Sequence, residues 1–377
     1  MAGNYNRWTI SVPNTVSAFL PRATRTSGLF SSADYAQMRA FFDARPALAP
    51  TPTTDLPVVA AGLGLGAVAI KDETHRFGLN AFKLLGARFA IETLLSEGEL
   101  RAGQTVVCAS EGNHGRAVAR AARDAGCACR VYMAKDAAQS RVDAIAGEGA
   151  AVVRVDGSYD DAVRILQAEA AANGWTIISD TAWPGYERIP YLSMLGYTRM
   201  LDEVHGVQGV QEVQGFTHLF VQGGVGGLLC AMASWCAFHR PDCKVIGVEP
   251  LQAACLQASA RAGRPVAVSG PLHTALAGLR NREVSPLAFA SLLPNVDAFT
   301  AIDDEWAFDA MRALNDAGVR AGASGAAALG GLLALCRDAA LMRARMRLGL
   351  DANARVLCIV SEGVTDPALW SSVVGLP

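Results

Sequence analysis

The sequence predicts an α/β fold of two lobes, each a mostly parallel twisted sheet covered by helices. Three observations predict it. From about residue 65 onward, short β-rich runs alternate with longer alanine-rich runs of helical periodicity. Such strand–helix units bury both faces of a parallel sheet. Hydrophobic residues make up 51% of the 377 residues, ample material for cores of that size. The runs are also too many for a single sheet, which favours two lobes.

The elements follow in order. Val68 to Ile70 is a strand, and Asn80 is placed to cap a helix whose apolar positions Leu84, Ala87, Ile91 and Leu95 recur at helical spacing. Thr105 to Cys108 is a strand, followed by a turn and a helix around Arg116 to Ala125. Arg130 to Met133 leads to a helix around Ala138 to Ala146, and Ala151 to Val155 to one from about Tyr159 to Ala172. Thr176 to Ser179 is a further strand, and Leu219 to Gln222, Val245 to Val248 and Val356 to Val360 read as buried strands. A smaller lobe is expected over 78–195, and a larger one from 1–77 plus 196–377. A ligand is expected in the cleft, at the carboxyl ends of the strands.

Composition excludes several classes of function. A net charge of -2 without a basic run argues against nucleic-acid binding. The longest apolar stretch, Val58 to Ile70, is broken by Gly62, Gly64 and Gly66 and followed by Lys71 and Asp72, so no membrane span is expected. The first residues, MAGNYNRWTISVPN, lack a basic segment followed by an apolar core and are not a secretory signal. Nine cysteines, an odd number with no CxxC pair, fit reduced thiols in the cytoplasm. The six histidines are scattered, which argues against a metal site.

Four stretches carry chemistry. Gly223-Gly224-Val225-Gly226-Gly227 follows a β run and precedes a helix, so its amides and the helix N-terminus can cradle a phosphate monoester. The lack of GK[ST] excludes a nucleotide P-loop; a turn that simply needs small residues is the alternative. Lys83 opens an apolar helix, where dipole and desolvation both lower an amine pKa, as an imine-forming lysine requires. An exposed helix lysine would look the same. Ser110-Glu111-Gly112-Asn113-His114-Gly115 gathers polar groups at a strand-to-helix turn, as a binding loop or as helix caps. Ser361-Glu362-Gly363 and Asp180-Thr181-Ala182-Trp183 each follow a strand; hydroxyl and acid there can meet a ligand or simply close a turn.

In this order the motifs resemble the fold type II pyridoxal-phosphate enzymes, the tryptophan synthase β and threonine dehydratase group. Finer agreement is with the diaminopropionate ammonia-lyase branch, carried by KDETHRFGLNAFKLLGARFA (71–90), DTAWPGYERIPYLSMLGY (180–197), TALAGLRNREVSP (274–286) and SEGVTDP (361–367). The resemblance implies that Lys83 condenses with the aldehyde of pyridoxal 5'-phosphate and that Asn113 bonds its phenolate oxygen. It implies that Gly223, Gly224, Val225, Gly226 and Gly227 hold the phosphate and that Ser361 meets the pyridine nitrogen. Glu111, His114 and Asp180 would lie at the substrate, with the amides from Ser110 through Gly112 to His114 anchoring its carboxylate. One position departs from the branch: Glu111 stands where an aspartate is usual. The extra methylene displaces a base by about 1 Å, enough to cost on the order of 10²-fold in rate.

The implied activity is α,β-elimination of 2,3-diaminopropionate, the L-isomer favoured, to pyruvate and ammonia by a homodimeric carbon–nitrogen lyase. Lys83 would take the Cα proton of the L-isomer, Glu111 could do so from the opposite face, and His114, Glu111 or Asp180 would serve the leaving amine. A serine- or threonine-type dehydratase, a lyase for another β-substituted amino acid and a catalytically silent cofactor-binding protein are the alternatives. A nicotinamide dehydrogenase is disfavoured, because LGLGAV at 63–68 lacks the third glycine and precedes its strand.

Overall fold

The computed structural model describes residues 9–10, 15–21, 24–110, 112–206 and 215–375. It divides the chain into two compact units. The larger comprises Met1–Ala33, Ala47–Asn80 and Met200–Pro377; the smaller comprises Asp34–Pro46 and Ala81–Arg199.

The larger unit is built on a seven-stranded sheet in the order Ser17–Phe19, Ala298–Ile302, Lys244–Pro250, His218–Gln222, Arg355–Val360, Ala67–Asp72, Thr53–Asp55. The inner strands are parallel and the two edge strands antiparallel. His218–Gln222 and Ala298–Ile302 are buried at every position, as expected where helices cover both faces. The apolar helix Ala323–Arg337 supplies much of this core, with Ala326, Leu329, Leu332 and Leu333 packed among Ile70, Phe220, Ile246 and Val360. Thr9–Ile10 and Ala267–Val268 form a separate parallel pair.

The segment 71–76 of this unit carries charge inward. Lys71 Nζ lies 2.6 Å from Glu203 Oε2, and Arg76 reaches Glu73 at 2.6 Å and Glu203 at 2.7 Å, all with side chains at most 1% exposed. Two cations balance two anions, so the network is neutral as a whole; removing one member would strand a buried charge. These contacts anchor the chain just before Phe77 and Asn80, both held in the left-handed region at φ 52° and 58°.

The smaller unit has a four-stranded parallel sheet in the order Ala151–Val155, Ala128–Ala134, Thr105–Ala109, Thr176–Ile177. The helix Tyr159–Asn173 opens with a reciprocal cap between Ser158 and Asp161 and packs Ala162, Leu166 and Ala170 against Val107 and Tyr132. The helices Leu84–Ser96 and Arg188–Tyr197 cross at two glycines. A Cβ on Gly196 would lie 2.6 Å from Leu85 O, and one on Gly86 would strike the Tyr197 ring and sit 2.5 Å from Ser193 O.

Three expectations need correction. Asp34–Pro46 belongs to the smaller unit, because Phe41 and Phe42 lie 5.1 and 6.3 Å from Phe89 by ring centroids and Arg45 pairs with Glu92. Ala298–Ile302, the strand of the large sheet next to the edge strand Ser17–Phe19, was not anticipated, although its run AFTAI between Asp297 and Asp303 carries the signal of a buried strand. Asn80 caps no helix: the helix Leu84–Ser96 starts later, with Lys83 itself at the N-cap position.

Candidate active site

Lys83 sits at the mouth of its helix with a side chain 23% exposed, and its Nζ lies 2.5 Å from Asp180 Oδ2. The rings of Phe82 and Tyr197 lie 5.1 and 5.7 Å from the ammonium by centroid. The expected lowering of its pKa is overturned here. Burial does push the ammonium down, but the Asp180 carboxylate and then Tyr197 outweigh it, and Lys83 titrates well above an ordinary lysine. The sequence could not show this, because Asp180 is 97 residues away. Tyr197 was also missed. Its hydroxyl is buried beside Lys83 without a hydrogen-bond acceptor among the described residues, and burial raises its pKa.

Asp180 is held by its own loop. Tyr186 Oη donates to Ile177 O at 2.7 Å and accepts from Ser179 N–H at 2.9 Å, and its ring stacks on Trp183 at 3.9 Å. Burial disfavours the Asp180 carboxylate, but Lys83 and then His114 hold it well below the usual carboxylate range, so it stays ionised at neutral pH. His114 Nε2 lies 2.9 Å from Ile178 O, which only accepts, so that nitrogen carries a hydrogen. The other nitrogen, Nδ1, faces Asp180 Oδ2 at 3.8 Å and has no nearer partner. Lys83, Asp180, His114 and Tyr197 thus converge, the last two largely buried.

The loop before His114 uses part of its own hydrogen-bonding capacity. Ser110 N–H donates to Tyr132 O, and the Gly112 and Gly115 amides donate to Ser110 Oγ at 3.3 and 3.0 Å. The amides of Ser110 and Gly112 are therefore committed, the first to the neighbouring strand Ala128–Ala134 and the second within the loop, contrary to the expectation that they anchor a substrate carboxylate. Asn113 and His114 open the helix Asn113–Asp124. Glu111 lies outside the described residues.

In the larger unit the glycine loop joins His218–Gln222 to the helix Gly227–His239. Gly226 takes φ 102° as the N-cap residue, a conformation glycine adopts without strain. A Cβ on Gly224 would lie 2.6 Å from Asn281 Nδ2, and one on Gly223 would strike Leu256. Among the described residues no group accepts from the N–H of Gly224, Val225, Gly226 or Gly227, leaving a nest of donors at a helix N-terminus. Ser361 follows the strand Arg355–Val360, is 4% exposed and accepts a 2.6 Å hydrogen bond from Gln222 Nε2.

Behind the loop lies Glu249, fully buried, a lone acid in an apolar run that sequence reading passed over. Its carboxyl oxygens accept from Leu256 and Gln257 N–H at 2.7 and 2.8 Å. Burial nonetheless raises its pKa to about 8. An acid with a raised folded pKa contributes stability that is full below its unfolded value and lost as pH rises through 8. We expect Glu249→Gln to flatten the fall in unfolding free energy between pH 5 and pH 8, by up to about 1.4 kcal/mol per pH unit. Denaturant titrations of both proteins across that range check this; parallel curves would contradict it.

A family model described as pyridoxal-phosphate dependent enzyme matches residues 44–362. The chain is 35% identical over 372 residues to a diaminopropionate ammonia-lyase of Escherichia coli (strain K12), covering 93% of each. It is 34% identical over 367 residues to the enzyme of that name from Salmonella typhimurium, covering 90% of this chain and 91% of the relative. The crystal structure of the E. coli diaminopropionate ammonia lyase in complex with an aminoacrylate-PLP azomethine reaction intermediate superposes with a TM-score of 0.85, at 32% identity, over 97% of this chain and 98% of the other.

Proposed function

Because this chain belongs to the pyridoxal-phosphate dependent enzymes, we propose that it is a carbon–nitrogen lyase removing the β-amine of 2,3-diaminopropionate. One substrate and one water give pyruvate and two molecules of ammonia. The residues present fit the cofactor: a glycine-rich nest of free amides suits a phosphate, a buried hydroxyl suits a ring nitrogen, and a partly exposed amine suits an aldehyde. On this reading Gly224, Val225, Gly226 and Gly227 hold the phosphate, Ser361 the ring nitrogen, Asn113 the phenolate oxygen and Lys83 the aldehyde carbon; Gly223, expected among the phosphate donors, instead gives its N–H to Val248 O at 2.7 Å. When bound, the cofactor supplies the electron sink at the substrate's α-carbon.

The protein's own groups do the rest. Lys83 Nζ takes the Cα proton, favouring the L-isomer; a positioned base of this kind contributes about 10²–10⁴-fold. Asp180, kept ionised, attracts a cationic β-ammonium and orients it for departure. The β-ammonium already carries the proton it needs, so the C–N bond pair leaves with ammonia; His114 Nδ1, a lone pair 3.8 Å from Asp180 because Nε2 holds the ring hydrogen, accepts a hydrogen bond from that nitrogen and orients it. Glu111 remains the candidate base for the D-isomer. The observation that carries diaminopropionate over serine or threonine is the ionised Asp180 carboxylate beside Lys83, a charge that a β-ammonium can meet and a β-hydroxyl cannot. We further place the enzyme in the cytoplasm as a homodimer. All its cysteines but Cys336 are buried, which suits reduced thiols, and no single described helix is long and apolar enough to cross a membrane.

The test is a substrate panel. Purified enzyme with L- and D-diaminopropionate, L-serine and L-threonine is assayed for 2-oxo acid and ammonia. We expect L-diaminopropionate to lead in kcat/KM, with two ammonia per pyruvate. Much faster turnover of serine or threonine would overturn the assignment.

A further inference from the structure

Gln222 closes the strand His218–Gln222, one residue before the glycine loop, and is 1% exposed. Its side-chain nitrogen lies 3.2 Å from Ser324 O, 3.2 Å from Gly325 O and 2.6 Å from Ser361 Oγ. Two of these three neighbours are backbone carbonyls, which carry no hydrogen. The end of the amide facing them must therefore be the NH₂ group; turned over, its oxygen would press against two others. The NH₂ group has two hydrogens for three oxygens: Ser361 Oγ, the nearest at 2.6 Å, accepts one, and the two carbonyls at 3.2 Å share the other. A hydroxyl has one hydrogen, and Gln222 cannot receive it. Gln222 is the hydrogen-bond partner of Ser361 Oγ among the described residues, so the hydroxyl hydrogen is left to point elsewhere.

We infer that Gln222 is a positioning residue: it turns the Ser361 hydroxyl into a hydrogen-bond donor toward the cofactor's ring nitrogen and thereby keeps that nitrogen unprotonated. This rests on the reading of Ser361 as the ring-nitrogen partner. A hydroxyl alone does not decide the matter, since it can donate to a bare nitrogen or accept from a protonated one. The reversed amide would take the Ser361 hydrogen and leave only a lone pair for the ring, favouring the protonated form. The fixed amide removes that option. An unprotonated ring withdraws electrons less, so charge built at the α-carbon is passed on to the β-leaving group rather than stored. That matches an eliminating enzyme.

The experiment loads the protein with pyridoxal phosphate enriched in ¹⁵N at the ring and records the ¹⁵N signal and the cofactor dissociation constant. Wild-type protein is expected to show an unprotonated, hydrogen-bonded nitrogen. In Gln222→Met the Ser361 hydroxyl loses the donor that directs its hydrogen away. The signal should move, and cofactor binding should weaken about five- to tenfold, as for the loss of one hydrogen bond. A protonated nitrogen in the wild type overturns the inference, whatever the variant does or whether it folds. So does a Gln222→Met protein that loses stability yet keeps the wild-type signal and affinity, the mark of a purely structural role. Ser361→Ala separates the premise: if it leaves signal and affinity unchanged, Ser361 is not the ring partner and the reading beneath the inference falls. If Ser361→Ala moves them and Gln222→Met does not, the inference alone falls.

Discussion

Lys83→Ala should lower kcat/KM for L-diaminopropionate by at least about 10⁴-fold, because one amine is asked to serve both as the attachment point of the cofactor and as the proton acceptor. Alanine removes both roles without adding bulk to a side chain that is 23% exposed, so the fold should survive. The diagnostic measurement is borohydride reduction of the holoprotein followed by peptide mapping. Wild-type protein should carry the reduced cofactor on the peptide containing Lys83, and the variant should carry none there. Cofactor found on another lysine in the wild type would contradict the site. Added small amines should restore part of the proton-transfer rate if the lost group is a base, and none if it is only a tether.

The second large effect is expected at Asp180. Its carboxylate is the first of the groups that together outweigh desolvation at Lys83, and it carries the charge proposed to meet the β-ammonium. Asp180→Asn keeps the shape and removes the charge. With the opposing charge gone, burial is opposed at Lys83 chiefly by Tyr197, so its pKa should fall and the acidic limb of the kcat profile should move to lower pH. Turnover of diaminopropionate should fall about 10²–10³-fold, the scale of losing a positioned charged group. Serine, which offers no β-cation, should lose less, so the preference for diaminopropionate over serine should shrink. Comparing kcat/KM for both substrates across pH checks this. Equal losses for the two substrates would show that Asp180 acts only by holding Lys83, and an unshifted pH limb would show that it does not hold Lys83 either.

How much of this was legible beforehand can be judged residue by residue. Val356 to Val360 and Leu219 to Gln222 announced themselves as buried strands by unbroken apolar runs, and both lie at the centre of the large sheet. The glycine loop was readable because a strand, several glycines and an apolar helix follow one another within a few residues, a local pattern with a local physical cause. The helix of Lys83 was readable by periodicity, but its start was not. Phe77 and Asn80 occupy left-handed conformations that non-glycine residues avoid, and the buried ion network at Lys71, Arg76 and Glu203 contributes to holding that segment. Nothing local in the sequence signals such an over-ruled preference.

The chemistry of the site followed the same division. Sequence alone determined the inventory: which residues are lysine, carboxylate, imidazole and glycine, and that they recur in the order of one enzyme family. Only tertiary structure decided their states. Lys83 is raised rather than lowered because Asp180 returns from another strand end; Ser110 spends amides that were thought to await a substrate; Tyr197 and Gln222 gain roles by touching Lys83 and Ser361. The physical reason is range. Propensity and periodicity act over a turn or a strand and are written into neighbouring residues. A proton's affinity and a hydroxyl's direction depend on charges and acceptors within a few ångströms in space, which only the folded chain brings together.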